Sequence, residues 1–272
     1  MKPSQLVEPE FRFESIMQWE NWRDIFCERL VSTALLDIPH LRILPEHQDS
    51  CVIVGAGPSL NDKLPKEPND LIMSLNGAHA WLLRNKIVPN IHVLSEYDVE
   101  DVELALGGPP SKDVTYYLAS HCHPNVFKQL KDYRRVLWHA ALAPQEFQQE
   151  IGRLYPGEPM VNAGYATFFK SFAIGSILGY RNFEIFGVDS SCGLTSHVAG
   201  YAVADVEPKI KIWAIDPSRN EAKEFTTQGG LAFQAKEFLD LCRAYPEWRI
   251  RVHGDGMLQY LHKSRYPQYY ED

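Results

Sequence analysis

The chain has few cysteines, 5 in 272 residues, and no Cys-x-x-Cys pair. That argues against a disulfide-stapled scaffold and against a thioredoxin-like redox motif. Cys51 and Cys242 sit in apolar surroundings and read as buried thiols in a reducing cytosol. No apolar run approaches the ~20 residues of a membrane helix. The polar, acidic N-terminus lacks a signal-peptide pattern, so a cytoplasmic location is expected. Positive charge is not in excess: 27 Lys and Arg stand against 35 Asp and Glu, a net charge of −8. Strong non-specific binding to nucleic acid is therefore not expected. Internal repeats and low-complexity tracts are missing. Two familiar phosphate loops are missing as well. No third glycine follows Gly55-Ala56-Gly57 at dinucleotide-fold spacing, and no Gly-Lys-Ser/Thr follows as in a P-loop.

What is present is an ordinary globular composition, 45% hydrophobic, with enough chain for one large α/β domain. Apolar, β-rich runs near residues 51–54, 71–75, 91–95, 114–119, 135–139, 183–189 and 249–253 predict strands. Residues 210–214 alternate like an excursion strand. Helices are expected near 13–36, 78–85, 99–106, 125–130, 162–178, 231–245 and 257–262, with a short one within 143–160. Strand–helix alternation predicts an α/β fold with a doubly wound, mostly parallel sheet and helices on both faces. The expected division is an N-terminal helical extension over 1–48, a domain over 49–263 and a tail over 264–272. Trp19 and Trp22 on the first helix, with Tyr266, Tyr269 and Tyr270 in the tail, suggest a homo-oligomer.

The organising stretch is Cys51 to Leu60, an apolar run that ends in Gly55-Ala56-Gly57-Pro58-Ser59. Glycine permits close backbone approach. Pro58 can open a short helix, and Ser59 adds a hydroxyl and an N–H at the tip. The turn either cradles a nucleotide phosphate or simply connects strand to helix. Ligands of open α/β sheets sit beyond the carboxyl ends of the strands. Polar residues gather there: Ser59, Asn76, Glu96, Asp98, His121, His123, Asp189, His197 and Asp255. Asn76 reads as a base or sugar contact, or as an Asn-Gly turn. Asp98, with Glu96, reads as a cation or substrate ligand, or as a helix cap. His121 or His123 is expected to face the pocket. Asn162, Gly164 and Thr167 open a helix whose N-terminus suits an anion, unless Asn162 merely caps it. Asp189 ends a strand, and His197 follows on a loop as a candidate general base. The run from Arg251 to Gly256 is a second site of close backbone approach or a plain turn.

Three stretches carry a family resemblance. They are Val54 to Leu60; Asn76-Gly77-Ala78 with Val88-Pro89-Asn90 and Leu94 to Asp98; and Asn162 to Thr167 with Leu178-Gly179-Tyr180 and Phe186 to Asp189. Across roughly residues 50–200 the chain resembles the archaeal 6-hydroxymethylpterin diphosphokinases and the bacterial motility accessory factors. Gly-x-Gly-Pro-Ser-Leu is also similar to the loop of bacterial sialyltransferases that use CMP-sialic acid. Chains of this length with a His-Gly-Asp-Gly stretch like His253 to Gly256 look like phage and bacterial members. The resemblance implies a Rossmann-like, nucleotide-dependent transferase. A glycosyltransferase with a nucleotide-sugar donor comes first, and a diphosphokinase using ATP and Mg2+ is the alternative. A non-catalytic nucleotide-binding accessory protein is the third. The acceptor is not implied. The sequence departs from the diphosphokinases where an Asp-x-Asp-Gly motif gives way to Ser95-Glu96-Tyr97-Asp98. It departs from the sialyltransferases where Thr226-Thr227-Gln228-Gly229 carries no histidine, leaving His197 as the substitute.

Overall fold

The computed structural model describes residues 19–61, 71–95, 101–141, 145–164, 166–193, 197 and 209–270, with side chains from residue 24 onward. In chain order the elements are α1 (Trp19–Ala34), β1 (Ser50–Val54), β2 (Leu71–Leu75), α2 (Ala78–Arg84), β3 (Ile91–Leu94), α3 (Val102–Leu106), β4 (Thr115–Ala119), α4 (Pro124–Gln129) and β5 (Arg134–Ala140). There follow α5 (Gln145–Leu154), β6 (Met160–Val161), α6 (Thr167–Ile177), β7 (Asn182–Phe186), β8 (Ile210–Asp216), β9 (Glu221–Thr227), α7 (Gly229–Ala244), β10 (Arg249–Val252) and α8 (Met257–Arg265).

Eight strands form one sheet in the order β10-β7-β1-β2-β3-β4-β5-β6. Every pairing within it is parallel. The chain starts at β1, walks outward to β6, then returns to place β7 on the other side of β1. The expected doubly wound, Rossmann-like α/β architecture is what the chain adopts. Successive residues of a strand point to opposite faces, and β1 shows both faces covered. Cys51 and Ile53 join the large core that holds Phe168, Phe169 and Phe172 of α6. Val52 and Val54 join a second cluster with Ala78, Trp81 and Leu82 of α2. Burial on both faces explains why these strands read as unbroken apolar runs.

Several local expectations change. Helix α1 is described from Trp19. It lays Phe26 and Leu30 into the main core, beside Ile38 and Leu41 of the strap that follows. The strap bonds to the sheet through Leu41 N–H to Leu137 O at 2.8 Å and Leu137 N–H to Pro39 O at 2.8 Å. Strand β8 has an antiparallel partner, β9, in a hairpin apart from the main sheet. Glu221-Ala222-Lys223-Glu224 shows no apolar alternation, so β9 is a strand because β8 pairs with it. Asp216 holds the hairpin turn, accepting from Ser218 N–H at 2.9 Å and Arg219 N–H at 3.2 Å. The aromatic tail folds back on its own chain: Tyr270 OH accepts from Val252 N–H at 3.1 Å, and His262 stacks on Tyr266. Tyr266, Tyr269 and Tyr270 are each partly buried. No helix among the described residues is long and apolar enough to cross a membrane.

The core contains neutral histidines. Burial pulls His79 and His262 down to about 4 and His121 down to about 3, from an ordinary 6.5. The unfolded chain binds protons at these rings where the folded chain does not. Their contribution is complete above pH 6.5 and is lost as pH falls toward 4. Each ring contributes a slope of up to about 1.4 kcal/mol per pH unit within that window. Urea midpoints measured from pH 7 to pH 4.5 are expected to fall steeply, and a flat profile would show that these rings are not buried as neutral groups.

Candidate functional site: the crevice between β1 and β7

The strand order reverses between β1 and β7, and a crevice opens beyond their carboxyl ends. It holds about 160 Å3 and is lined by the turn after β1, Asn76 after β2, the start of α6, residues 187–191 after β7, Gln234 of α7, and His197. That is less than the ~300–1,000 Å3 filled by a whole small-molecule ligand. It has room for a phosphate or part of a sugar.

The glycines of the turn are packed against protein. Gly55 N–H donates to Phe186 O at 2.8 Å, and Gly57 N–H donates to Gly187 O at 2.7 Å. A Cβ on Gly55 would stand 2.6 Å from Gly187 O. A Cβ on Gly57 would meet the Asp189 carboxylate and, at 2.7 Å, Gly187 O. Gly187 itself has φ +62°, which glycine adopts freely. Pro58 opens a short 3-10 turn through Asn61. Ser59 N–H, expected to meet an anion, meets one from the chain itself: it donates to Asp189 Oδ2 at 3.0 Å. The tips of β1 and β7 are thus stitched together, and the Gly57 and Ser59 N–H groups are committed to that stitch.

Asp189 is 6% exposed. Burial raises its carboxyl above the ordinary range; neighbouring Ser59 pulls it back down, and the charge of Asp255 pushes it up again. The run after β10 is a site of close backbone approach, and what it approaches is this same pair. Gly254 has φ +113°, and a Cβ there would lie 2.7 Å from Ser59 Oγ. A Cβ on Gly256 would lie 2.6 Å from Asp189 Cβ. Asp255 is itself exposed.

Other expected residues divide between the crevice and elsewhere. Asn76 lines the crevice with φ +48°, and its Oδ1 is buried without a hydrogen-bond partner. Asn-Gly turn chemistry and a polar group in the crevice therefore coexist at one residue. Thr167 also lines it, its hydroxyl 2.8 Å from that of Ser95. Asn162 is exposed and does not cap α6; Ala166 occupies the cap position, with no side-chain cap. Gly164 packs beside Phe169 and the Glu237 carboxylate. His121 is a core residue rather than a pocket residue. It stacks on Phe26, and its Nε2 lies 2.9 Å from Ser95 O. His123 caps α4, accepting from Asn125 N–H at 3.2 Å. The cap of α3 is Asp101, accepting from Glu103 N–H at 3.0 Å. Glu96 and Asp98 lie outside the described residues.

Sequence reasoning missed Ser190 and Gln234, whose side chains bond at 2.9 Å along the crevice wall. Ser190 has φ +51°, unusual for a residue with a Cβ. Nothing in Asp189-Ser190-Ser191 distinguishes it from any polar loop. Gln234 sits in a helix whose amphipathic pattern gives no sign of a crevice.

The family model for 6-hydroxymethylpterin diphosphokinase MptE-like proteins matches residues 31–193, more than half of the chain. The chain belongs to the MptE-like family. Among solved structures, this MptE-like chain is similar to the Maf glycosyltransferase of Magnetospirillum magneticum AMB-1, with a TM-score of 0.62 at 17% identity. The match covers 86% of this chain and 36% of that one, so the MptE-like chain spans about a third of that protein's length. At that identity the likeness is one of fold. A looser match is the sialyltransferase CstII of Campylobacter jejuni in complex with a substrate analogue, cytidine-5'-monophosphate. Its TM-score is 0.36 at 12% identity, over 76% of this chain and 80% of that one, too loose to build on. A search of curated protein sequences returned no match.

Proposed function

We propose that this MptE-like chain is a nucleotide-dependent transferase whose donor is a nucleotide-sugar, held in the crevice between β1 and β7. One observation carries the reading. At the switch point of the sheet, the N-terminus of α6 opens without a side-chain cap beside the buried, unpartnered Oδ1 of Asn76. A helix N-terminus supplies N–H groups and a positive field for phosphate. A desolvated amide oxygen asks for a donor, which a ribose or sugar hydroxyl or a base amino group supplies. Thr167 and the Ala56 backbone border the same space. The role of Gly55, Gly57, Pro58 and Ser59 is to bring the strand tips close enough to form it. His197 is the candidate base.

The second reading, a diphosphokinase using ATP and Mg2+, is favoured by the family description. Magnesium prefers carboxylate oxygens at 2.0–2.1 Å and keeps several waters. Asp189, the carboxylate among the described lining residues, is buried under Gly254 and Gly256 and bonded to Ser59. The described residues do not fit that ion.

A thermal-shift panel of CMP, UDP, GDP and ATP and their sugars, with and without Mg2+, separates the readings. At a hundredfold excess over Kd, a true ligand stabilises by about 2.7 kcal/mol, roughly 5 °C or more in Tm for a chain of this size. Stabilisation by a nucleotide-sugar without Mg2+ is expected. Stabilisation by ATP alone, and only with Mg2+, would favour the diphosphokinase. A silent panel would refute both.

A further inference from the structure

At the far side of the sheet, three chain segments meet that the crevice does not use. His40 lies on the strap before β1, His139 near the end of β5, and Glu158 in the turn between α5 and β6. Among the described residues they are the one group of three or more His, Cys, Asp or Glu side chains whose ligand atoms all gather within 4.8 Å. His139 Nε2 lies 2.8 Å from Glu158 Oε2, and His40 Nδ1 contacts Glu158 Oε1. His139 is 1% exposed at its side chain, while His40 and Glu158 are 29% and 24% exposed. The half-open side faces a groove of about 600 Å3 bordered by residues 37–43 and 157–159.

We propose that His40, His139 and Glu158 bind a divalent transition-metal ion of the zinc class, with the fourth position open to this groove. Two imidazoles and one carboxylate form a donor set that suits zinc, and imidazole nitrogen disfavours magnesium and calcium. Around a tetrahedral zinc, with bonds of about 2.0–2.1 Å, the ligand atoms stand roughly 3.3 Å apart. Both histidines already stand closer than that to Glu158, so the two contacts must open slightly to admit the ion, and His40 and Glu158 are partly exposed and able to move. Coordination needs the lone pairs of His40 Nδ1 and His139 Nε2. Each proton now shared with Glu158 then resides on the other ring nitrogen or leaves to solvent. His139 Nδ1 is buried without a partner. Coordination through Nε2 therefore places an N–H at that position without an acceptor, a cost that the bonds to zinc must offset.

The ion ties together residues 118 apart in sequence. It fastens the strap to the edge formed by β5 and β6, where His40 already bridges to Leu137 and His139 pairs with Met160. The site lies four strands from β1, about 20 Å at the usual strand spacing. It is independent of the crevice.

The test uses untagged full-length protein, stripped with a chelator and titrated with Zn2+ by calorimetry. Co2+ serves as a spectroscopic probe of tetrahedral geometry. A single zinc ion per chain is expected, with a tetrahedral cobalt spectrum and a Tm that rises with zinc concentration. Glu158→Gln keeps the side chain's size but removes the anionic ligand, and is expected to weaken zinc at least ~100-fold. His40→Gln is expected to do the same from a half-exposed position, which secures the test if the first variant folds poorly. No saturable zinc binding, or binding unchanged in both variants, overturns the proposal.

Discussion

Gly57→Ala is expected to unfold or severely destabilise the protein, a larger effect than one methyl group usually has. The added Cβ would press on the Asp189 carboxylate and stand 2.7 Å from the Gly187 carbonyl oxygen. Neither neighbour can retreat. Gly187 O accepts from Gly57 N–H, and Asp189 Oδ2 accepts from Ser59 N–H. Behind Asp189 stand the backbones of Gly254 and Gly256. Overpacking alone costs about 1–3 kcal/mol, and displacing a buried carboxylate from its donor adds about as much again. The control is Gly152→Ala, on an exposed part of α5 where an added Cβ meets nothing. It is expected to be neutral or slightly stabilising. Denaturant melts decide the matter: equal midpoints for both variants would show that the turn is loose and that Gly57 is available to a ligand after all.

His197→Ala is expected to lower transfer about 10²–10⁴-fold with donor affinity little changed, the usual scale for a lost general base. Transfer to a hydroxyl needs a group that takes its proton near neutral pH, and imidazole meets this without special tuning. His197 lines the crevice together with the start of α6. Its competitors are committed elsewhere: His121 stacks in the core and His123 caps α4. Asp189 holds Ser59 and is raised by burial, which makes it a positioning residue for the crevice walls. Turnover is measured with the donor that the ligand panel identifies. Retained turnover with weakened donor binding would make His197 a phosphate contact and leave the base to be found outside the described residues.

The sheet was legible because strands buried on both faces must be apolar throughout. Cys51-Val52-Ile53-Val54 and Leu71-Ile72-Met73 announce themselves for that reason. Strand β9 was not legible, since its existence depends on a partner and on the Asp216 turn. The start of α6 was misread because Asn162 is a good cap in isolation, yet the cap position falls at Ala166, whose backbone is extended. In the crevice, sequence position alone placed Asn76, Asp189 and His197 beyond strand ends. It did not show that Asp189 would take the anion's place at Ser59, because that bond joins residues 130 apart. Histidine also misleads in a sequence. His79, His92 and His121 are polar by type, but each is buried among rings and hydroxyls, with His92 Nδ1 2.9 Å from Ser74 Oγ.

The order of strands has a consequence for synthesis. β1 is made early and gains β2 as a neighbour soon after, but its other edge waits for β7, at Asn182–Phe186. Until then an apolar strand presents a row of unsatisfied N–H and C=O groups, the kind of edge on which strange chains add. The sheet is complete on one flank while its centre is still an open seam. Contacts between residues so distant in sequence form slowly. The donors of Gly55, Gly57 and Ser59 find their acceptors only when the second flank docks. The crevice thus cannot exist before β7 docks, and a nascent chain stopped at β6 would carry an adhesive edge where the finished protein carries its candidate site.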